Sequence, residues 1–330
     1  MTANRLTCAL SAAAFSVLMP ACAARGPAET PGKDLPDYRP VPELAGEINC
    51  VGSDSLNNMV ALWSEGFRKH YADVIVSSEG KGGATAIPAL IQGFAQIGTM
   101  SREPKPAEQD GFVKKFGHEP TVLRVAQSAI AIYVRNDNPL DEITLEQIDA
   151  IYSTGRKRGG DEDLSTWGQL GLKGEWADRP INKYGRNSAS GMYTFMKDVA
   201  LKGGNFKETI KEMPGSASVV LAVSEDRDAI GYSGIGYATS GVKKLKLSEK
   251  AGQPFVTAGA ENVYNESYPL RRFLFVVINK SPREPPSPLV REFCTYILSK
   301  PGQACVEKDG YFPLTAAIAK EQLKKLGIEK

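Results

Sequence analysis

The sequence predicts an α/β protein made of two lobes joined by two crossings of the chain. Three observations carry this reading. Short β-type runs alternate with amphipathic helical segments along most of the chain, which argues for an open, mostly parallel sheet. Those runs end in loops rich in glycine, serine and arginine. Two long apolar runs, Val122 to Val134 and Phe273 to Ile278, stand apart as strands that pass between lobes. With 330 residues, 42% hydrophobic and 24% charged, the chain is long enough for two medium lobes, each with its own core.

Residues 1–21 read as an export signal: Arg5 supplies the positive start, Leu6 to Met19 the apolar core, and small residues follow. The apolar stretch is too short to span a membrane. Ala21-Cys22-Ala23 satisfies the Ala-x-Ala cleavage rule, while Leu18-Met19-Pro20-Ala21-Cys22 loosely resembles a lipobox from which Met19 and Pro20 depart. The expectation is a lipoprotein acylated at Cys22, with soluble release near Ala23 as the alternative. Residues 22–45 are expected to be a flexible Pro/Gly-rich tether.

The folded body starts near Leu44. Glu47 to Val51 reads as a strand running into Gly52-Ser53-Asp54-Ser55, and a helix follows with Leu56, Val60, Trp63, Phe67 and Tyr71 on one face. Asp54 or Ser55 stands where its cap belongs. Val74-Ile75-Val76 is the next strand; after the loop Ser77 to Thr85 comes a helix bearing Ile87, Leu90, Ile91 and Phe94. Gln96 to Met100 is a third strand, ending at Ser101-Arg102 before a helix entry at Pro104 and Pro106.

Val122 to Val134, interrupted in character by Gln127 and Ser128, is the first crossing. Thr144 and Gln147 form a capping box ahead of a helix with Leu145, Ile148, Ile151 and Tyr152 inward. The loop 156–163 carries both signs of charge and reads as solvated. Pro180 to Tyr184 is a strand leading into Gly185 to Met196, where Met192, Phe195, Met196 and Val199 have helical spacing, Ser188 or Ser190 is the cap, and Gly191 permits close approach. Ala229 to Tyr232 is a later core strand, and Phe273 to Ile278 is the return crossing. Helices over about 286–299 and 301–308, with another near the C-terminus, pack on the first lobe. The expected division is therefore 46–128 with 276–330 as lobe 1, and 129–275 as lobe 2.

Five cysteines occur; Cys8 belongs to the signal and Cys22 to the lipid site, leaving Cys50, Cys294 and Cys305. Export makes a disulfide plausible, and a hairpin of the two helices that carry Cys294 and Cys305 predicts that these two pair, for roughly 2 to 3 kcal/mol of stabilisation. Cys50, at the end of the first strand, reads as a buried apolar residue.

Composition and motifs exclude several functions. The 40 basic and 38 acidic residues leave a net charge of +2, and +1 once Arg5 is removed with the signal, too even to attract nucleic acid. Zinc-ligand spacing is absent, and Gly80 to Thr85 lacks the order of a P-loop. His70 and His118 neighbour no candidate serine nucleophile in sequence. Four strand ends, Gly52 to Ser55, Gly80 to Thr85, Ser101-Arg102 and Arg186 to Gly191, combine hydroxyls, backbone amides and arginine where open α/β sheets bind ligands; together they have the composition of an anion cradle.

Gly52-Ser53-Asp54-Ser55-Leu56-Asn57, Glu79-Gly80-Lys81-Gly82, Ala89-Leu90-Ile91-Gln92-Gly93, Met100-Ser101-Arg102, Arg186 with Ser190-Gly191, Ala229-Ile230-Gly231-Tyr232, Tyr268-Pro269-Leu270-Arg271 and Ser299-Lys300-Pro301-Gly302-Gln303 carry a resemblance over about residues 46–328. The chain resembles the phosphate-binding proteins of bacterial high-affinity phosphate ABC transporters. These have the two-lobe type 2 periplasmic binding protein (Venus-flytrap) fold.

The resemblance implies that Ser55 and the backbone of Leu56 meet the anion, that Gly82 and Gly83 stand where a serine is usual, and that Arg186, Ser190 and Gly191 match the family's ligands. Met192 replaces a common threonine. Ser101 falls where many members place an aspartate that accepts a hydrogen bond from monohydrogen phosphate; Arg102 would add a second charge-assisted bond, and Asp54 or Glu79 would supply the missing acceptor. It further implies a monomeric binding module, not an enzyme, that needs no cofactor and no metal. Such a module sits in the periplasm or on the outer face of the membrane and passes inorganic phosphate to an inner-membrane ABC permease. The alternatives are another tetrahedral oxyanion such as sulfate, or an exported phosphatase or adhesin that reuses the fold.

Overall fold

The computed structural model describes residues 31–328. The expected export signal, the expected acylation site Cys22 and the first part of the expected tether lie outside the described residues. In chain order the elements are β1 (Gly46–Gly52), α1 (Asn57–Arg68), β2 (Val74–Glu79), α2 (Ala86–Gln92), β3 (Ile97–Met100), α3 (Pro106–Phe116), β4 (Thr121–Arg135), β5 (Glu142–Thr144), α4 (Leu145–Tyr152), β6 (Asn182–Arg186) and α5 (Gly191–Phe195). They continue with β7 (Lys211–Met213), α6 (Ser216–Glu225), β8 (Ala229–Gly234), β9 (Val242–Lys244), β10 (Lys246–Ser248), α7 (Ala260–Tyr264), β11 (Arg271–Ile278), α8 (Pro288–Ile297), α9 (Lys300–Lys308) and α10 (Ala316–Lys325).

The strands run β2-β1-β3-β11-β4-β8-β6-β7 across the molecule, with β9 beside β4. At each end three strands are parallel, β2-β1-β3 on one side and β8-β6-β7 on the other. Between them lie β11 and β4, antiparallel to each other and to their outer neighbours. The long strand β4 serves both halves: Thr121 to Ala129 pair with β11, and Ile130 to Val134 pair with β8. It is buried almost throughout, which explains its long, mainly apolar run. The result is a two-lobe α/β fold.

Local signals behave as expected at several points. Thr144 accepts from the Gln147 amide at 3.1 Å and Gln147 accepts from the Thr144 amide at 2.9 Å, closing the capping box at the start of α4. The helix α1 buries Met59, Val60, Trp63 and Phe67, and the Trp63 indole N–H donates to the Gly302 carbonyl at 2.8 Å, tying α1 to α9. A smaller core lies under α2 and α3, where Ala86, Leu90 and Phe112 meet Phe275.

Several expectations are corrected. Residues 31–45 are not a free tether: Leu35 is buried, Tyr38 packs edge-on against Tyr296, and the Lys300 amide donates to the Pro36 carbonyl at 2.8 Å. The few large side chains in that stretch are enough to dock it on the first lobe. The Cys294–Cys305 disulfide is not formed; both are free thiols. Cys294 is buried in α8, its nearness to Cys50 raising the Cys50 thiol pKa after burial itself, whereas Cys305 on α9 points at the Leu62 carbonyl, 3.6 Å away. The two helices present their sulfurs to different neighbours. The turn before α1 is capped by Ser53, whose hydroxyl accepts from the Ser55 amide at 3.4 Å, and not by Asp54 or Ser55. The strand β11 is paired with β4 from Arg271 onward, and the Tyr268 hydroxyl and the Leu270 carbonyl both bond the backbone of Ile130.

Candidate anion site

The four strand ends converge between the lobes. From the first lobe come Ser53 to Leu56 after β1, Gly82 and Gly83 before α2, and Ser101-Arg102 after β3; from the second come Arg186 at the end of β6 and Ser190-Gly191 at the start of α5. The lobes touch here. Gly82 has φ of +106°, and a Cβ on it would stand 2.7 Å from the Ala189 carbonyl oxygen, so this position requires glycine twice over. A Cβ on Gly191 would stand 2.6 Å from Ser101 Oγ and 3.2 Å from Arg102 Cγ. A backbone bond crosses the seam, from the Ala84 amide to the Ala189 carbonyl at 3.3 Å, while within the first lobe the Gly82 amide bonds the Gly52 carbonyl at 2.8 Å.

Arg186 is 2% exposed and its guanidinium is held on every side. Nη1 donates to Asp54 Oδ2 at 2.6 Å and to Ser216 Oγ at 2.8 Å, Nη2 to the Pro214 carbonyl at 2.9 Å, and Nε to the Met213 carbonyl at 3.3 Å. Its own amide is fixed by the Tyr232 hydroxyl at 3.1 Å. Asp54 Oδ2 also accepts from the Ser216 amide at 3.1 Å and the Ser216 hydroxyl at 2.9 Å. Arg186 therefore spans the lobes through Asp54. Of the two acceptors expected, Asp54 is at the site, while Glu79 is exposed and bonded to Lys81 at 2.6 Å.

Ser190, not Ser188, caps α5, accepting from the Met192 amide at 3.1 Å. Ser55 and Ser101 are buried at the seam, and their hydroxyls have no hydrogen-bond partner among the described residues. Gly83 sits against the backbone of Gly191. The Leu56 side chain is in the core and its amide is used by the Ser53 carbonyl at 3.1 Å, so the turn, not a guest, holds that N–H.

Arg102 is a further correction. Its two terminal nitrogens form a bidentate pair with Glu108 at 2.7 Å each. Burial alone would raise the Glu108 carboxyl; the Arg102 fork and the Lys105 amide outweigh it and hold the carboxyl below its ordinary range. The charge expected to serve the anion is neutralised by a residue six positions along the chain, and only Arg102 Nε remains buried without a partner.

Sequence reasoning passes over Arg272, Ser216, Tyr237 and Tyr311. Arg272 lies inside β11, 7% exposed, with Nη1 donating to the Ser101 carbonyl at 3.0 Å and the guanidinium 5.8 Å from the Phe195 ring centre. Burial pushes its pKa down to about 10, opposed by Tyr311 and Asp54 and reinforced by Arg186. An arginine directly ahead of the apolar run Phe273 to Ile278 is the signal that marks it. Tyr237 and Tyr311 donate to the carbonyls of Asp54 and Ser55 at 3.0 and 3.1 Å, fixing the first loop from both lobes.

The buried side-chain atoms around this centre with no partner among the described residues are Asp54 Oδ1, Ser55 Oγ, Ser101 Oγ, Ser128 Oγ, Arg102 Nε, and Nε and Nη2 of Arg272. Each unmet buried polar atom costs on the order of 1–3 kcal/mol, so a group of them calls for a guest. The guest that suits this one has several acceptor oxygens and one donor, the donor directed at the carboxylate.

The PBP superfamily domain matches residues 39–301 of the chain. Over 294 residues, 89% of this chain and 91% of the relative, it is 45% identical to the phosphate-binding protein PstS of Pseudomonas aeruginosa. It is 25% identical over 290 residues to the Staphylococcus aureus protein of the same name, covering 86% of this chain and 83% of that one. Among solved structures, one described as a phosphate ABC transporter substrate-binding protein from Clostridium perfringens with bound phosphate superposes with a TM-score of 0.68 at 25% identity, covering 82% of this chain and all (100%) of that one. An ABC-type phosphate transport receptor from Vibrio cholerae shares the fold with a TM-score of 0.61 at 21% identity, over 80% of this chain and 98% of the other.

Proposed function

The chain belongs to the PBP superfamily and, within it, to the phosphate-binding proteins of bacterial phosphate ABC transporters, and on that premise we propose that it captures inorganic phosphate outside the cytoplasm for ABC-type import. The observation that carries the ligand is the set of unpartnered buried atoms between the lobes, donor-rich but including the carboxylate oxygen Asp54 Oδ1. Monohydrogen phosphate answers that set: its oxygens accept from the serines and arginines, and its O–H donates to Asp54. Sulfate has no proton to offer at neutral pH and would set a bare oxygen against the carboxylate. A micromolar site needs about 8 kcal/mol, within reach of several charge-assisted hydrogen bonds of roughly 1.5–3 kcal/mol each.

In this reading the protein works by capture and release and not by turnover, which its likeness to proteins named for phosphate binding supports. It acts as a monomer that hands phosphate to an inner-membrane permease, held at the outer face of that membrane by a lipid on Cys22. Titration calorimetry with phosphate and with sulfate tests the ligand. Binding of phosphate with sulfate at least tenfold weaker supports the assignment, and a protein that takes sulfate in preference refutes it. Mass spectrometry of the mature N-terminus tests the lipid, and incubation with a chromogenic phosphate ester tests the absence of turnover.

A further inference from the structure

A guanidinium inside a β-strand is costly, because several kcal/mol of hydration are lost unless its five N–H groups find acceptors. Arg272 sits in β11 between Arg271 and Phe273, on the strand that carries Leu274, Val276 and Val277 into the core. Among the described residues its Nη1 is satisfied by the Ser101 carbonyl, while Nε and Nη2 are buried without partners. The charges that act on it leave the balance open. Arg186 repels it, Asp54 attracts it, and Asp54 is already engaged by Arg186 at 2.6 Å. Arg102, the other cation of the seam, is neutralised by Glu108. The centre thus holds two guanidinium charges against one carboxylate, with the unmet donors of one guanidinium at the same place.

We propose that Arg272 is the second cationic anchor of the bound oxyanion, donating to it through Nε and Nη2, with the hydroxyl of Ser128 as a neighbouring donor. This rests on the oxyanion reading of the site given above. Ser128 is the residue directly opposite Arg272 in the β4–β11 register, so the two side chains leave the same face of the sheet, and Ser128 Oγ is buried without a partner. Arg272 also bonds the Ser101 loop of the first lobe and lies over Phe195 of the second. An anion on it is held at the floor of the cleft, where β4 and β11 join the lobes, while Arg186 approaches from the second lobe. The role foreseen for Arg102 is filled by a residue far from it in sequence.

The test is phosphate titration of the full mature protein as wild type, Arg272→Met and Arg272→Lys, with melting curves with and without phosphate. The Met variant is expected to bind phosphate on the order of 10- to 100-fold more weakly, the span of one charge-assisted hydrogen bond, and the Lys variant to recover part of the loss. A purely structural role would lower the melting temperature without phosphate yet leave the phosphate-induced shift intact. A folded Met variant that binds within about twofold of wild type overturns the proposal. Should the Met variant not fold, a crystal structure of wild type with phosphate decides: Nε or Nη2 within hydrogen-bonding distance of a phosphate oxygen supports it, and both nitrogens beyond roughly 4 Å overturn it. Wild type that takes up no phosphate would overturn the proposed function instead, and the same variants titrated with sulfate would then decide the role of Arg272.

Discussion

Arg186 Nη1 and Asp54 Oδ2 are 2.6 Å apart although 132 positions separate them in the chain, and this ion pair ties the second lobe to the first at the anion site. Only one oxygen of Asp54 is used. Its partner Oδ1 is buried and faces no donor of the described residues, which makes Asp54 both a clasp and an acceptor.

Asp54→Asn keeps the shape of that side chain and replaces an acceptor-only carboxylate with an amide. The ratio of sulfate to phosphate dissociation constants should fall at least tenfold, because repulsion toward a deprotonated anion is removed while the proton of phosphate loses its acceptor. Calorimetric titration of both anions checks this; an unchanged ratio would assign discrimination elsewhere.

Arg186→Ala removes the proposed ligand and strands a charge. With the Asp54 carboxylate left without its counter-charge and held only by Ser216, unfolding free energy in urea should drop by about 3–5 kcal/mol, and phosphate binding should be lost. Retention of wild-type affinity would remove Arg186 from the site.

Gly191→Ala tests closure. The added methyl would meet Ser101 Oγ at 2.6 Å only when the lobes are together, so phosphate affinity should fall roughly tenfold while the melting temperature without phosphate stays near wild type.

Two acids give opposite pH signatures. Burial pushes the Asp309 carboxyl up to about 6 from its ordinary 3.8, against a partial lowering by its bond from Asn58. The folded state therefore holds a proton that the unfolded state has released, so this group favours folding below about 4 and loses that contribution as pH rises to about 6. Glu108, held below its ordinary value once its Arg102 bond overcomes burial, stabilises above the unfolded carboxylate range and loses that contribution as pH falls through its folded value. Melting curves should show Asp309→Asn more stable than wild type at pH 7.5 with the advantage gone at pH near 4, and Glu108→Gln less stable at pH 7.5 with the deficit shrinking in acid.

Much of the architecture was legible because its signals are local. Hydrophobic spacing places α1, α2 and α8, the Thr144–Gln147 box opens α4, and the apolar run of β4 marks the crossing. The strand ends that make the site were legible for the same reason, as glycine, serine and arginine sit within a few residues of each strand.

By itself the sequence determined the alternation of elements and the position of Arg186, Ser55 and Ser101 at strand ends, since each follows from periodicity or from the residues that bound a strand. Only the tertiary structure decided which charge answers which. Arg102 goes to Glu108, Arg186 to Asp54, and Arg272, whose Ser101 contact lies 171 positions away, is turned toward the cleft. It also decided that Cys294 and Cys305 remain thiols and that residues 31–45 lie on the first lobe. The physical reason is common to all of these. A buried charge or sulfur is assigned by distance and direction after packing, and residue spacing along a chain carries neither once the lobes have folded together.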